Sequence, residues 1–174
     1  MIIYTTNCNK MTIFIIAALT ADGLIARNVQ QTSTDWTSKE DKEFFTKRTK
    51  EAGVVVMGQN TYETIGRPLK DRLNIAYSRD KQYEGVEVTQ KEPKELIEDL
   101  EKRGYKEVAI CGGSTIYTMF MEAGVVDKLY LTVTSVVFGS GMTLFNKSFD
   151  KKLELVLVEK IGPQTILLEY NVAK

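Results

Sequence analysis

The chain has no histidine among its 174 residues. That absence excludes serine–histidine and cysteine–histidine nucleophile systems, HExxH zinc sites and imidazole acid–base chemistry. An enzyme built on this sequence moves protons through a carboxylate, a tyrosine, a lysine or water, and no metal site is expected. Cysteine is scarce as well. Cys8 and Cys111 lie far apart, which argues against a disulfide framework and for a reducing, cytoplasmic setting. Neither sign of charge is in excess, with 23 basic and 23 acidic residues. Such a balance leaves no broad electrostatic footprint for nucleic acid or an anionic membrane, so a bound anion must be held by a local site. Long apolar runs are missing too. Ile13 to Leu19, among the longest, has the length of a strand and not of a membrane span. Residues 1–10 lack the apolar region and cleavage site of a signal peptide.

What is present is an ordinary globular composition, 43% hydrophobic and 26% charged, with length enough to bury one core. We read residues 1–11 as an N-terminal extension and 12–174 as one domain. Thr12 to Leu19 (TIFIIAAL) is a strand buried on both faces, followed by a turn at Ala21-Asp22-Gly23. The polar stretch Ala26 to Asp35 reads as a surface loop. Thr37-Ser38-Lys39-Glu40 has the pattern of a capping box and predicts a helix with Thr37 as its N-cap, running to about Glu51. Phe44, Phe45 and Arg48 then share the helix face of Asp41.

Further strands are expected over Val54 to Met57, Leu73 to Tyr77, Val86 to Thr89, Val108 to Cys111 and Leu129 to Val137. Helices are expected from Asn60, as cap, to Ile65, from Pro93 to Arg103 and from Ser114 to Glu122. Lys152 to Lys160 and Thr165 to Val172 form a closing hairpin. Strands alternating with helices predict an α/β fold, a mixed, mostly parallel central sheet with helices on both faces and a C-terminal antiparallel hairpin.

Three features fall where ligands lie in such folds, beyond the carboxyl ends of strands. Cys111-Gly112-Gly113-Ser114-Thr115 runs from a strand through two glycines into a helix start, where unpaired N–H groups attract phosphate. The same pair also serves as a plain tight turn, and it is not the GxGxxG fingerprint. Gly58-Gln59-Asn60-Thr61 repeats the arrangement, and Ser78-Arg79 ends a strand where Arg79 can pair with a further phosphate or simply lie in solvent. Asp41 is the candidate acid. Beside Phe45 it can lie in an apolar slot with a raised pKa, or it can be only a first-turn acid favoured by the helix dipole.

Met57 to Arg72 reads MGQNTYETIGRPLKDR and Asn74 to Arg79 reads NIAYSR. Together these resemble the dihydrofolate reductase family. So do the spacing of Trp36, Asp41 and Phe45, the segment IIAALTADGLIA (Ile15 to Ala26), ICGGSTIYTMF (Ile110 to Phe120) and LYLT (Leu129 to Thr132), all in consistent order over roughly residues 12–172. The resemblance implies a dihydrofolate-reductase-like three-layer fold, NADPH as cofactor, dihydrofolate as the small-molecule substrate, and a monomer or homodimer. It implies catalytic roles for Asp41, Trp36 and Thr132, with Thr132 backing Asp41 through a hydrogen bond. Ile16, Ala17, Phe45, Ile65, Leu69, Arg72, Cys111 and Tyr117 would meet the substrate, with Arg72 clamping the carboxylate of its glutamate tail. Ala18, Ile25, Gly58, Gln59, Asn60, Thr61, Ser78, Arg79, Gly112, Gly113, Ser114, Thr115, Ile116 and Thr143 would meet the cofactor. Ser78 and Arg79 would take its 2′-phosphate.

The chain also departs from the pattern. Gln59 stands where the family usually has arginine, Asp35-Trp36 replaces Pro-Trp, the segment between Ile25 and Trp36 is longer, and Met142 stands where an aspartate is usual. Some of this, with the DWTSKED stretch, resembles the reductase domain of riboflavin biosynthesis, whose pattern lacks the IGRPLxxR segment. A silent nucleotide-binding protein on the same scaffold is the third reading.

Overall fold

Apolar residues packed on both sides of each central strand set the layers. In the computed structural model, which describes residues 10–173, the first half of the chain forms β1 (Thr12–Thr20), β2 (Leu24–Ala26), a 3-10 turn (Ser33–Asp35), α1 (Lys39–Ala52), β3 (Val54–Gly58), α2 (Gln59–Ile65), β4 (Leu73–Tyr77) and β5 (Glu87–Thr89). The second half forms α3 (Pro93–Lys102), β6 (Glu107–Ile110), α4 (Ser114–Glu122), β7 (Lys128–Thr134), β8 (Met142–Thr143), β9 (Leu153–Gly162) and β10 (Thr165–Val172). Ile13, Ile15 and Ala17 of β1 enter one core, and Phe14 and Ile16 enter another. β3 divides in the same way, with Val54 and Val56 against Val55 and Met57, as does β7 with Leu129 and Leu131 against Tyr130. Helices α3 and α4 supply Leu96, Leu100, Ile116 and Phe120 to the first core, while α1 and α2 supply Ala52 and Tyr62 to the second. The product is a three-layer α/β sandwich with helices on both faces of the sheet.

The eight-stranded sheet has the order β5-β4-β3-β6-β1-β7-β10-β9. Its first six strands are parallel, and β10 and β9 add the antiparallel hairpin at one edge. Because β1 and β3 flank β6, the carboxyl ends of all three converge on one cleft. Arg48 fastens α1 above them. Its Nη1 and Nη2 donate to the two carboxylate oxygens of Glu107 at 2.9 and 2.7 Å, and the guanidinium lies 4.1 Å from the Phe14 ring centroid. Such a bidentate, stacked pair fixes direction as well as distance.

Several expectations need correction. Ser38, not Thr37, is the N-cap of α1, because the Ser38 hydroxyl is the one that accepts from Asp41 N, at 3.1 Å. Gly58 caps α2 in place of Asn60, which lies within the helix. β7 stops at Thr134, short of Val137, and the two-stranded ribbon of β2 and β8 was not legible at all. Met11, assigned above to the extension, is buried in the first core. Cys8 lies outside the described residues. No helix among the described residues is long and apolar enough to cross a membrane.

Candidate active site

Asp41 is the third residue after the Ser38 cap, in the first turn of α1, and is only 7% exposed. Two strands hold it there. The Thr132 hydroxyl of β7 donates to Asp41 Oδ1. Thr165 of β10 donates to Ser38 Oγ at 2.9 Å, and Ser38 in turn holds the Asp41 amide. Burial raises the Asp41 pKa above its ordinary value, and the Thr132 bond and the nearby Thr37 hydroxyl and Lys42 ammonium oppose that rise. The carboxyl therefore keeps its proton to higher pH than a solvated one, in a place where a second neutral or cationic group can meet it.

A cleft of about 1270 Å³ opens over Asp41. Ile16, Ala17, Phe45, Ile65, Leu69, Arg72, Cys111 and Tyr117 all line it, as do Ala18, Ile25, Gly58, Gln59, Asn60, Thr61, Ser78, Arg79 and the run Gly112 to Ile116. Residues that are scattered over the first two thirds of the sequence are thus brought to one wall. Three expected residues do not line it. Thr132 stands behind Asp41. Trp36 packs edge-on against Phe138 with ring centroids 5.3 Å apart. Thr143 turns aside, its hydroxyl donating to Phe145 O at 2.6 Å, while its carbonyl accepts from Ser114 Oγ at 2.5 Å.

The apolar part of the cleft is rigidly framed. Tyr117 donates its buried hydroxyl to Ile16 O at 2.9 Å, joining α4 to β1. Gly112 has φ +106°, and a Cβ there would lie 3.0 Å from the Tyr117 hydroxyl, so only glycine passes this ring. Cys111 donates weakly to Ala109 O at 3.6 Å, and burial pushes its thiol up to about 12, which leaves it a neutral wall residue. Arg72 is anchored at the opposite end. Its Nε donates to Lys70 O at 2.8 Å and its Nη1 to Thr49 Oγ1 at 2.5 Å, which leaves its Nη2 hydrogens uncommitted.

The polar part has the donors a dinucleotide needs. α4 opens on Gly113 with no side chain capping its first amides, so those N–H groups face the cleft unfilled. Arg79 lines the same cleft and forms no ion pair among the described residues. A nicotinamide dinucleotide fits this set, and its dihydronicotinamide ring would supply the hydride. Ser78 is more committed than its sequence position suggests: its hydroxyl donates to Gln59 Oε1 at 2.8 Å and accepts from Lys81 N at 3.0 Å.

Some lining residues had no sequence signal. Thr37, read as a cap, instead lines the cleft with a buried hydroxyl that has no hydrogen-bond partner among the described residues. Asn28, Gln31 and Thr32 show that the polar loop runs along the cleft. Phe138 holds both ends of that loop, with Arg27 3.8 Å above its ring and Trp36 against its edge. Gly141 lets the next strand close in, since a Cβ there would stand 2.3 Å from Ala26 O. Removing the clamp with Phe138→Ala forfeits an aromatic and a cation–π contact, each about 0.5–1.5 kcal/mol. We expect faster amide exchange over residues 27–36, read by mass spectrometry, with the central sheet unaffected. Unchanged exchange there would refute the clamp.

Comparison with known proteins gives this geometry a lineage. The sequence profile of the family described as dihydrofolate reductase matches residues 12–162. A dihydrofolate reductase of Haemophilus influenzae is 33% identical over 123 residues, 70% of this chain and 71% of that one. Dihydrofolate reductase type 3 of Salmonella typhimurium is 36% identical over 126 residues, again 70% and 71% of the two chains. Among solved structures, Enterococcus faecalis dihydrofolate reductase complexed with NADP(H) has a TM-score of 0.73 at 25% identity, covering 95% of this chain and 98% of that one. A putative riboflavin biosynthesis protein from Shewanella has a TM-score of 0.78 over 94% and 100% of the chains, but at 17% identity it shares the fold alone. The chain belongs to the dihydrofolate reductase family of oxidoreductases.

Proposed function

We propose that this protein reduces 7,8-dihydrofolate to tetrahydrofolate with NADPH, hydride passing to pterin C6 and a proton to N5. The observation that carries this reading is one cleft with a desolvated carboxyl, Asp41, and an anchored guanidinium, Arg72, both lining it. Asp41 binds the amino-pyrimidine edge of the pterin through its two oxygens, orienting the ring and polarising it toward protonation at N5 while water supplies the proton. Phe45, Ile16 and Ile65 hold the ring faces, and Tyr117 braces the wall between pterin and nicotinamide. The loop over residues 26–35 excludes bulk water during transfer. Arg72 takes the carboxylate of the glutamate tail.

An absorbance assay of NADPH oxidation tests the proposal. Oxidation on adding dihydrofolate supports it. Oxidation only with a ribosylamino-pyrimidine phosphate assigns the chain to the riboflavin reaction, and cofactor binding with no oxidation by any pterin makes it a silent scaffold.

The 2′-phosphate assignment has its own test. Arg79 is the cation we place against that phosphate, with Gln59 adding no charge beside it. Arg79→Ala removes a charge-assisted contact of about 1.5–3 kcal/mol, and so raises the Kd for NADPH roughly 10- to 100-fold. NADH, which has no such phosphate, is expected to bind as before. Equal losses for the two cofactors would reject the assignment.

A further inference from the structure

Among the described residues, three buried side-chain polar atoms have no hydrogen-bond partner: Trp36 Nε1, Thr37 Oγ1 and Thr134 Oγ1. Of these three residues, Thr37 is the one that lines the cleft. It is 8% exposed, so its hydroxyl has given up water with no protein group in return. A hydroxyl in that state opposes folding unless something pairs with it.

The chain on either side fixes where this hydroxyl stands. Thr37 N donates to Ser33 O at 3.0 Å. The next residue, Ser38, caps α1 and accepts the bond from Thr165. Thr37 is thus held from both sides while its own hydroxyl is spared from capping. That hydroxyl lies near enough to the Asp41 carboxyl to favour its ionised form. It does so without the geometry of a formed hydrogen bond. Carboxyl and hydroxyl therefore border one patch of the cleft wall, with Thr132 meeting the carboxyl from behind at Oδ1.

What such a patch recognises follows from ligand chemistry, and rests on the proposed reading in which Asp41 holds an amino-pyrimidine edge. The two carboxylate oxygens take the ring N–H and one hydrogen of the exocyclic amino group. Polar atoms flank that edge on both sides, the 4-oxo oxygen next to the ring N–H and the second amino hydrogen at the other end. A threonine hydroxyl both donates and accepts, so it pairs with whichever of the two is turned toward it. We propose that Thr37 is a substrate-binding residue, whose hydroxyl adds a third hydrogen bond to the two that Asp41 makes with the amino-pyrimidine edge.

Two variants test this. Thr37→Val replaces the hydroxyl by a methyl group of similar size, and Thr37→Ser keeps it. The Kd for dihydrofolate is read from quenching of Trp36, the single tryptophan. Thr37→Val is expected to raise that Kd roughly 3- to 10-fold, the worth of one neutral hydrogen bond. Thr37→Ser is expected to bind dihydrofolate like the wild type, and both variants to bind NADPH unchanged. The free protein supplies a second readout. A hydroxyl that pairs only with substrate adds nothing to the fold, so Thr37→Val is expected to melt at or above the wild-type Tm. A crystal structure with dihydrofolate is expected to show Thr37 Oγ1 within hydrogen-bond distance of a pyrimidine oxygen or nitrogen. An unchanged Kd in Thr37→Val, an equal loss for NADPH, a lowered Tm, or a hydroxyl bonded to Asp41 in the complex overturns the proposal. If the wild type binds the ribosylamino-pyrimidine phosphate and not dihydrofolate, the folate reading fails alone. That ligand presents the same edge, and the ratio of its Kd values in Thr37→Val and wild type then decides the role of Thr37. A wild type that binds neither overturns both readings.

Discussion

Asp41→Asn is expected to lower turnover of dihydrofolate near neutral pH by roughly 10²–10⁴-fold, the usual cost of removing a positioned acid or base from a proton step. The substitution keeps size and shape, and Asn Oδ1 still accepts from Thr132, so the loss reports charge and protonation alone. Two readouts separate this from a packing effect. The wild-type pH profile of kcat/KM is expected to show an ionisation above the ordinary carboxylate range, since burial raises the Asp41 pKa. The variant is expected to lack it. Retention of most activity, or an unchanged profile, would remove Asp41 from the mechanism.

The same residue links function to stability. The folded-state pKa of Asp41 is raised above its unfolded value, with desolvation the largest cause. Its contribution is therefore fully present below the unfolded pKa, where both states are protonated, and is lost as pH rises through the folded pKa. At neutral pH the ionised, 7%-exposed carboxylate works against the fold. Asp41→Asn is thus expected to raise Tm at pH 7 while it lowers turnover, with the gain shrinking toward zero as the pH falls below the ordinary carboxylate value. That combination marks a site where stability is given up for chemistry. A variant less stable than wild type at pH 7 would contradict the account.

How much of this was legible in the sequence depended on range. The central strands were readable because burial on both faces leaves continuous apolar runs, as in Val54 to Met57 and Thr12 to Leu19. The cap of α1 was misread because Thr37 and Ser38 are chemically equal as caps. The choice fell to Ser38 through a long-range bond from Thr165, 127 residues away. The ribbon of β2 and β8 joins segments more than a hundred residues apart with only three and two residues, too few to show a period. Family resemblance brought most lining residues to one list, while Thr143, whose hydroxyl serves its own loop, does not line the cleft. Phe138 had no local signal, and that of Thr37 pointed only to a cap, because their places beside the cleft and its loop exist only after folding.

In the proposed function Arg72 carries the distinction between a folate and any smaller pterin or pyrimidine, and its surroundings define the experiment. The guanidinium is half-buried, and burial lowers its pKa without bringing it near neutral pH, so it stays charged. Thr49, fully buried at 0% exposure, holds Nη1 from α1 and is itself held by Phe45 O at 2.7 Å. That bond sets the plane of the fork, and with it the direction of the Nη2 donors we assign to the tail carboxylate. Arg72→Leu removes charge-assisted hydrogen bonds of about 1.5–3 kcal/mol, so the KM for dihydrofolate is expected to rise roughly 10- to 100-fold. Turnover at saturation is expected to change little, because the tail lies away from the reacting ring. Arg72→Lys recovers little, since an ammonium supplies a point charge and no fork. A dihydropterin with no glutamate tail provides the contrast: its kcat/KM is expected to be the same in wild type and Arg72→Leu. Equal damage with both substrates would make Arg72 a support for α1 through Thr49 and not a substrate clamp.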